Sequence, residues 1–279
     1  MNEQRLIAFQ GEHGAYSESA LLAFFGQEVV PLPCLSFEQA FAAVEQGEAQ
    51  AAMLPVENSL GGSIHRNYDL MLRHNLYIVG ELNLPIHHQL LALPDVPPEE
   101  IKVAWSHPQA LAQCELTLDR LGVAREATYD TAGSAKMLRE QGRRDVAAIA
   151  SRRAAEVYGL SILAEDIEDD ANNITRFVAL TRDPVSVGPN APAKTSLVFS
   201  LNNEPGALFK ALSVFALRDL DLTKLESRPL RGKRWEYLFY LDVAGSLDDS
   251  PLQHALAHLE EITTFQRILG SYPRDREGN

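Results

Sequence analysis

Hydrophobic and polar positions follow two rhythms along this chain. Short apolar runs at Leu6–Phe9, Ala51–Leu54, Ile101–Trp105, Val146–Ile149 and Phe177–Leu180 read as buried strands. Between them apolar residues recur at helical spacing. Leu21, Leu22, Phe24 and Phe25 precede Gly26; Phe37, Ala40, Phe41 and Val44 precede Gly47; Leu111, Cys114, Leu118 and Leu121 precede Gly122. Each glycine is placed to stop its helix. Ser17, Ser36 (with Gln39 completing a capping box) and Ser106 are the expected caps. Further helices are expected up to Leu72, through Leu138, and from Ser151 to Tyr158. Leu76–Leu93, broken at Pro85, reads as strands that cross between two lobes. Strands that alternate with helices predict an α/β module with parallel strands.

The rhythm changes after Asp183–Pro192, a stretch with the proline and glycine content of a linker. Thr195–Leu201 reads as a strand, and Pro205–Leu208 opens a helix with Leu208, Leu212 and Phe215 on one face. Leu222–Ser227 and Trp235–Val243 are strands, Pro251–Ile262 is a helix, and Phe265–Leu269 is a last strand. The order βαββαβ predicts a ferredoxin-like α+β unit. The expected boundaries are 1–183 for the first module, 184–194 for the linker, 195–273 for the second module and 274–279 for a tail.

Composition narrows the classes. The chain has 279 residues, of which 46% are hydrophobic, so more than one folded core is expected. The net charge of -13 and pI of about 5.1, with no basic stripe, argue against a nucleic-acid partner. No apolar run approaches membrane-spanning length. Cys34 and Cys114 stand far apart, without metal or redox spacing. With no apolar leader at the N-terminus, a reduced cytoplasmic setting is expected.

Candidate chemistry gathers where strands end. Thr175 and Arg176, in Asn172-Asn173-Ile174-Thr175-Arg176-Phe177, begin a strand after an acidic run. A guanidinium offers a fixed fork for a carboxylate, and a threonine hydroxyl can donate and accept at once. Glu57, Asn58 and Ser59 close another strand, where Asn58 serves equally as a ligand group or a turn cap. Ser106, with Gln113 a turn or so inside the helix that follows, and Thr131 stand at two further strand-to-helix turns. One cleft could gather Asn58, Ser106, Thr131 and Thr175-Arg176. The Gly11-Glu12-His13-Gly14 turn has neither a dinucleotide fingerprint nor a P-loop lysine; a role as the wall of a carboxylate pocket stays open. His87-His88 point to opposite faces of a strand, and His254 and His258 point to solvent, so no metal is expected there. The acidic run Glu165–Asp170 lacks EF-hand spacing and reads as a solvated loop.

These segments resemble the prephenate dehydratase family over almost the whole chain. The matching motifs are Gly11-x-x-Gly14-Ala15-Tyr16-Ser17-Glu18, Pro55-Val56-Glu57-Asn58-Ser59, Ser106-His107-Pro108-Gln109, Asp130-Thr131-Ala132-Gly133-Ser134 and Asn173-Ile174-Thr175-Arg176-Phe177. The C-terminal unit resembles an ACT regulatory domain through Pro205-Gly206-Ala207-Leu208 and Glu226-Ser227-Arg228-Pro229. His13 departs from the family, where many members carry proline.

The resemblance implies two α/β lobes like those of type II periplasmic binding proteins, about 1–82 with 171–183, and 83–170, with the active cleft between them. It implies a monofunctional lyase without a cofactor. The enzyme would convert prephenate to phenylpyruvate, or arogenate to L-phenylalanine. Thr175 would donate to the departing oxygen and Arg176 would hold a carboxylate. Asn58, Ser59, Ser106, Gln113, Thr131, Asn173 and Phe177 would line the cleft. L-phenylalanine would act as an effector at Pro205–Leu208 and a 226–229 loop, in a homodimer or homotetramer. The rival readings are a solute-binding protein and an amino-acid-sensing regulator.

Overall fold

The computed structural model describes residues 5–188, 192–230 and 236–275. Leu6–Gln10 forms β1, whose three central side chains are fully buried. The chain then turns through Gly11 and Gly14 at φ of 117° and 88°, a region glycine enters without a Cβ penalty. α1 (Tyr16–Phe25) follows, with Gly26 as its C-cap. Its N-cap is Ala15, which corrects the expectation for Ser17. Glu18 reaches back to accept the Gly14 N–H at 2.5 Å, so the helix entry is closed without the Ser17 hydroxyl.

β2 (Val30–Cys34) is a strand that the pattern concealed. Pro31 and Pro33 remove alternate N–H donors, which a sheet tolerates at an edge, and β2 is an edge strand. α2 (Phe37–Glu45) is capped as expected, the Ser36 hydroxyl accepting the Gln39 N–H at 3.3 Å. β3 (Ala51–Asn58) runs on past Leu54, and β4 (Gly62–Ser63) folds back on it. Next come α3 (His65–Arg73), β5 (Tyr77–Pro85), β6 (Gln89–Ala92) and β7 (Val103–Ser106).

The helix expected from Pro108 to Leu121 is two helices, α4 (Pro108–Gln113) and α5 (Glu115–Leu121), broken at Cys114. Ser106 does not cap α4. It is the last residue of β7, fully buried, and its hydroxyl donates to the Ile149 carbonyl at 2.7 Å. The cap is His107, whose Nδ1 accepts the Gln109 N–H at 3.2 Å. β8 (Ala124–Ala127), α6 (Thr131–Gln141), β9 (Val146–Ala150), α7 (Arg152–Tyr158), β10 (Ser161–Ala164) and β11 (Ile174–Thr181) follow. β8 and β10 were not legible: each is short and has no fully buried residue.

One sheet runs β2-β1-β3-β11-β5, with β4 beside β3; another runs β10-β6-β9-β7-β8. β1 lies parallel to β2 and β3, and β7 parallel to β8 and β9, as the alternation predicts. β6 is antiparallel to both its neighbours. Consecutive strand residues face opposite ways. Leu90 and Ile149 therefore pack with Leu111 and Leu118 on one face of the second sheet, while Leu91 and Ala148 pack with Trp105 and Leu138 on the other.

The C-terminal elements are β12 (Ala193–Ser200), α8 (Ala207–Ala216), β13 (Leu222–Pro229), β14 (Tyr237–Ala244), α9 (Ser250–Ile262) and β15 (Phe265–Pro273). They form an antiparallel sheet in the order β13-β14-β12-β15, the ferredoxin-like arrangement. Leu197, Phe199, Val214, Phe215, Leu252 and Leu259 form its core. Glu226–Pro229 is the end of a strand, not the expected loop. Trp235, expected to start β14, lies outside the described residues.

The chain divides into two compact units, 1–74 with 82–177, and 75–81 with 178–279. These divisions differ from the linker expected at 184–194. The second unit incorporates 75–81 for steric and electrostatic reasons. Gly270 leaves no room for a Cβ beside the Ile78 carbonyl. The Lys194 ammonium lies 2.7 and 2.8 Å from the Glu81 carboxylate oxygens, both residues being buried. Glu81 also accepts the Asp275 N–H at 3.2 Å.

Candidate active site

The first unit holds a cleft of about 230 Å³, the size of one small organic acid. Gln10, Gly11, Tyr16 and Ser17 line it from the entry of α1, and Asn58 from the end of β3. His88 lines it from just before β6, and Gln113 from the end of α4. Asp130 and Thr131 come from the start of α6, and Asn173, Thr175 and Phe177 from the start of β11.

A chain of hydrogen bonds fixes which way each polar group points. The backbone N–H groups of Leu60 and Gly61 donate to Asn58 Oδ1 at 3.1 and 2.7 Å. The Gln109 side-chain amide packs directly over Gly61, where a Cβ would displace it. With Oδ1 committed, Asn58 Nδ2 donates to Asn173 Oδ1 at 2.7 Å and to Thr175 Oγ1 at 3.0 Å. Asn173 Nδ2 then donates to Gln113 Oε1 at 3.2 Å. His88 Nε2 also meets Gln113 Oε1, at 3.0 Å, and so carries the imidazole proton. His88 Nδ1 is left to accept from the Tyr16 hydroxyl at 2.7 Å. Two backbone amides thus set the tautomer of a histidine several links away.

Two consequences follow for chemistry. Thr175 Oγ1 receives its bond from Asn58, so its own proton is free for a group in the cleft. Gln113 Oε1 is occupied twice, so its Nε2 is the end available to a ligand. Burial holds His88 below the ordinary imidazole pKa of 6.5, in keeping with the neutral tautomer. Burial also raises the Tyr16 phenol well above its usual value of 10.0, which keeps its proton in place. Asp130 caps α6 by accepting the Gly133 N–H, and burial raises its pKa.

Thr175, Asn58, Asn173, Gln113, Thr131 and Phe177 are brought together, all on the cleft wall. Three expected residues are not. Ser59 clamps the start of β11: its hydroxyl donates to the Asn172 carbonyl at 2.6 Å and accepts the Ile174 N–H at 2.9 Å. Ser106 is turned to Ile149. Arg176 stands between two cleft-lining neighbours, and strand alternation carries its side chain to the other face. Among the described residues no lysine or arginine lines the cleft.

His88, His107 and Gln109 also line the cleft, a role that the sequence reading did not assign to them. His88 stands in the polar triplet His87-His88-Gln89, just before β6 rather than within a strand, and its partners are distant in sequence. His87, Asp166 and Glu168 bring possible metal-ligand atoms within 4.8 Å of one another. Each already has a protein partner: His87 Nδ1 meets Glu168 Oε1 at 2.7 Å, the His88 N–H donates to Glu168 Oε2 at 2.8 Å, and Gln89 Nε2 donates to Asp166 Oδ1 at 2.9 Å.

In the second unit, Ala207 and Leu208 at the start of α8 line a cavity of about 120 Å³ with Asn202, Glu204, Tyr237 and Phe239. Gly206 caps α8 at φ 81°, with Pro205 before it. Glu226, Ser227, Arg228 and Pro229 are not among the cavity's lining residues.

Residues 7–185 match the prephenate dehydratase family. The chain is 55% identical to arogenate dehydratase/prephenate dehydratase 2, chloroplastic, of Arabidopsis thaliana, over 96% of this chain and 73% of that protein. Its fold is similar to that of the prephenate dehydratase of Arthrobacter aurescens solved in complex with L-Phe, with a TM-score of 0.89, 35% identity, and coverage of 96% and 90% of the two chains. It is similar also to GqqA, described as a novel type of quorum quenching acylase, with a TM-score of 0.91, 40% identity, and coverage of 97% and 98%. The chloroplastic Arabidopsis thaliana relative overturns the expected cytoplasmic setting. The expectation rested on two cysteines without metal or redox spacing and on the lack of an apolar leader, and neither separates one reducing compartment from another. With most of the chain matched and its motif residues gathered on one cleft, the chain belongs to the prephenate dehydratase family, whose members are dehydratases of the lyase class.

Proposed function

We propose that the cleft converts prephenate to phenylpyruvate, with Thr175 as the group that protonates or hydrogen-bonds the leaving oxygen. The observation that supports this reading is the polarity of the Asn58–Thr175 bond, which leaves the threonine proton available to a group in the cleft. The bond from the ring carbon to its carboxylate breaks and releases CO2. That electron pair enters the ring as the C4–O bond breaks, and the oxygen leaves as water with one proton taken up. Hydroxide is a poor leaving group, so a donor at that oxygen is where stabilisation grows toward the transition state. Gln113 Nε2 and Thr131 are the neighbouring groups able to hold the substrate's oxygens.

A second reading, arogenate as substrate, is favoured by one feature of the site. The Asp130 carboxylate faces the cleft, and its Oδ1 is the oxygen engaged by Gly133. The other oxygen suits the ammonium that arogenate carries where prephenate has a ketone. Turnover of the two acids by the purified chain, measured side by side at neutral pH, decides between them. Neither phenylpyruvate nor L-phenylalanine above the spontaneous background would sink both readings. Release of an acyl group from an amide substrate in the same assay would instead align the chain with its acylase relative.

The second unit is read as an ACT-type sensor of L-phenylalanine. Support comes from the ferredoxin-like topology, the cavity at the entry of α8, and the L-Phe complex of the Arthrobacter aurescens relative. L-phenylalanine is expected to raise the Tm and lower turnover; no change in either would exclude it as effector. Phe209 and Leu217, 77% and 79% exposed, suit burial in a homodimer or homotetramer, and light scattering at a monomer mass would contradict that.

A further inference from the structure

The sequence directs attention to Arg176 as the holder of a substrate carboxylate, yet no arginine or lysine lines the cleft among the described residues. A dicarboxylic substrate still needs a carboxylate partner there. The entry of α1 supplies one. α1 has ten residues, and its cap, Ala15, offers no side-chain acceptor to the first turn. The Tyr16 and Ser17 N–H groups have no protein acceptor among the described residues, and both residues line the cleft. The Ser17 side chain, on a residue 7% exposed, has no protein partner there either.

An unpartnered hydroxyl on a buried residue, beside two unsatisfied amides at the positive end of a helix, is an arrangement that binds an anion. The nearest acid in the same turn is already engaged. Glu18 accepts from the Gly14 N–H at 2.5 Å and meets His13 Nδ1 at 3.0 Å, with Arg153 Nε at 3.6 Å.

We propose that the first turn of α1, through the Tyr16 and Ser17 amides and the Ser17 hydroxyl, is the subsite for the side-chain carboxylate of the substrate. The assignment rests on the dehydratase reading of the cleft. Its choice of carboxylate follows from the reaction. The ring carboxylate leaves as neutral CO2, so donors fixed on it would stabilise the ground state more than the transition state and slow the step. The side-chain carboxylate keeps its charge throughout, and holding it positions the ring without that penalty.

The test is equilibrium binding of phenylpyruvate and of its methyl ester to the full chain, with prephenate and arogenate turnover measured in parallel. Wild type is expected to bind the acid more tightly than the ester. Ser17→Ala should weaken the acid by about tenfold, the effect of losing a hydrogen bond to a charged group. It should change the ester less than twofold, and Ser17→Thr should restore preference for the acid. Should Ser17→Ala fail to fold, the wild-type Tyr16 and Ser17 amide resonances provide the readout, since phenylpyruvate should shift both. Undetectable binding of the acid, equal wild-type affinities for acid and ester, an equal loss of both in Ser17→Ala, or unmoved Tyr16 and Ser17 amides would each overturn the subsite. Absent turnover of either substrate would overturn the dehydratase reading, while the binding arms still decide the subsite.

Discussion

At the scale of single residues, the cleft is ordered by hydrogen-bond direction more than by charge. Thr175→Ala removes the hydroxyl proposed to serve the leaving oxygen while leaving the Asn58–Asn173 bond in place. It should lower kcat by about 10²–10³-fold, the usual effect of deleting one preorganised donor, with Tm little changed; kcat within threefold of wild type would dismiss Thr175 from the chemistry. His88 gives a pH signature. Because burial lowers its folded pKa below 6.5, the unfolded imidazole takes up its proton at a higher pH than the folded one. Its contribution to stability is therefore complete above the unfolded pKa and lost as pH falls toward the folded pKa. Tm measured from neutral to mildly acidic pH should drop less steeply in His88→Gln than in wild type, and parallel curves would refute the assignment. Thr175 and Asn58 were legible because each sits in a recognisable motif, and Gln113 because it follows one along the same predicted helix. His88 was not, because its environment is built by residues remote in sequence, Tyr16 and Gln113 among them. Arg176 was legible as a motif residue but not as to its side: one step along a strand reverses the face.

At the scale of elements, turns were harder to read than the segments they join. Periodicity found most helices and the buried strands, but not the proline-bearing edge β2 or the break at Cys114. Caps chosen by residue type succeeded at Ser36 and Ser151 and missed at Ser106, whose hydroxyl the neighbouring sheet uses, and at Ser17, where the helix starts two residues earlier and Glu18 closes the turn. The turn before α1 is also held against backbone. A Cβ on Gly14 would meet the Ala154 backbone at 2.7 Å, in a residue at φ 88°. Gly14→Ala is expected to cost about 2–3 kcal/mol through combined overpacking and left-handed strain. Urea unfolding would measure it, and a loss below roughly 0.5 kcal/mol, the range of neutral surface changes, would show that the turn yields.

At the scale of the whole molecule, the alternation of strands and helices and the later βαββαβ order both appear in the fold, and a single sequence cannot say where compact units meet. The Lys194–Glu81 pair shows why, since it joins positions 113 residues apart. Removing one partner of a buried pair leaves an uncompensated charge, so Lys194→Met should lose roughly 3–5 kcal/mol. Lys194→Met with Glu81→Leu should recover most of that, and equal losses in single and double variants would argue that the pair is not coupled. There is also a lesson for anyone who would cut or graft this protein. Residues 75–81 belong with the C-terminal unit while the stretches on either side do not, so the backbone passes between units after His74, after Glu81 and after Phe177. A stop codon in the linker would leave Glu81 without its ammonium and remove Gly270 from beside Ile78. A chimera that borrows the C-terminal half of a relative must import that internal heptapeptide as well.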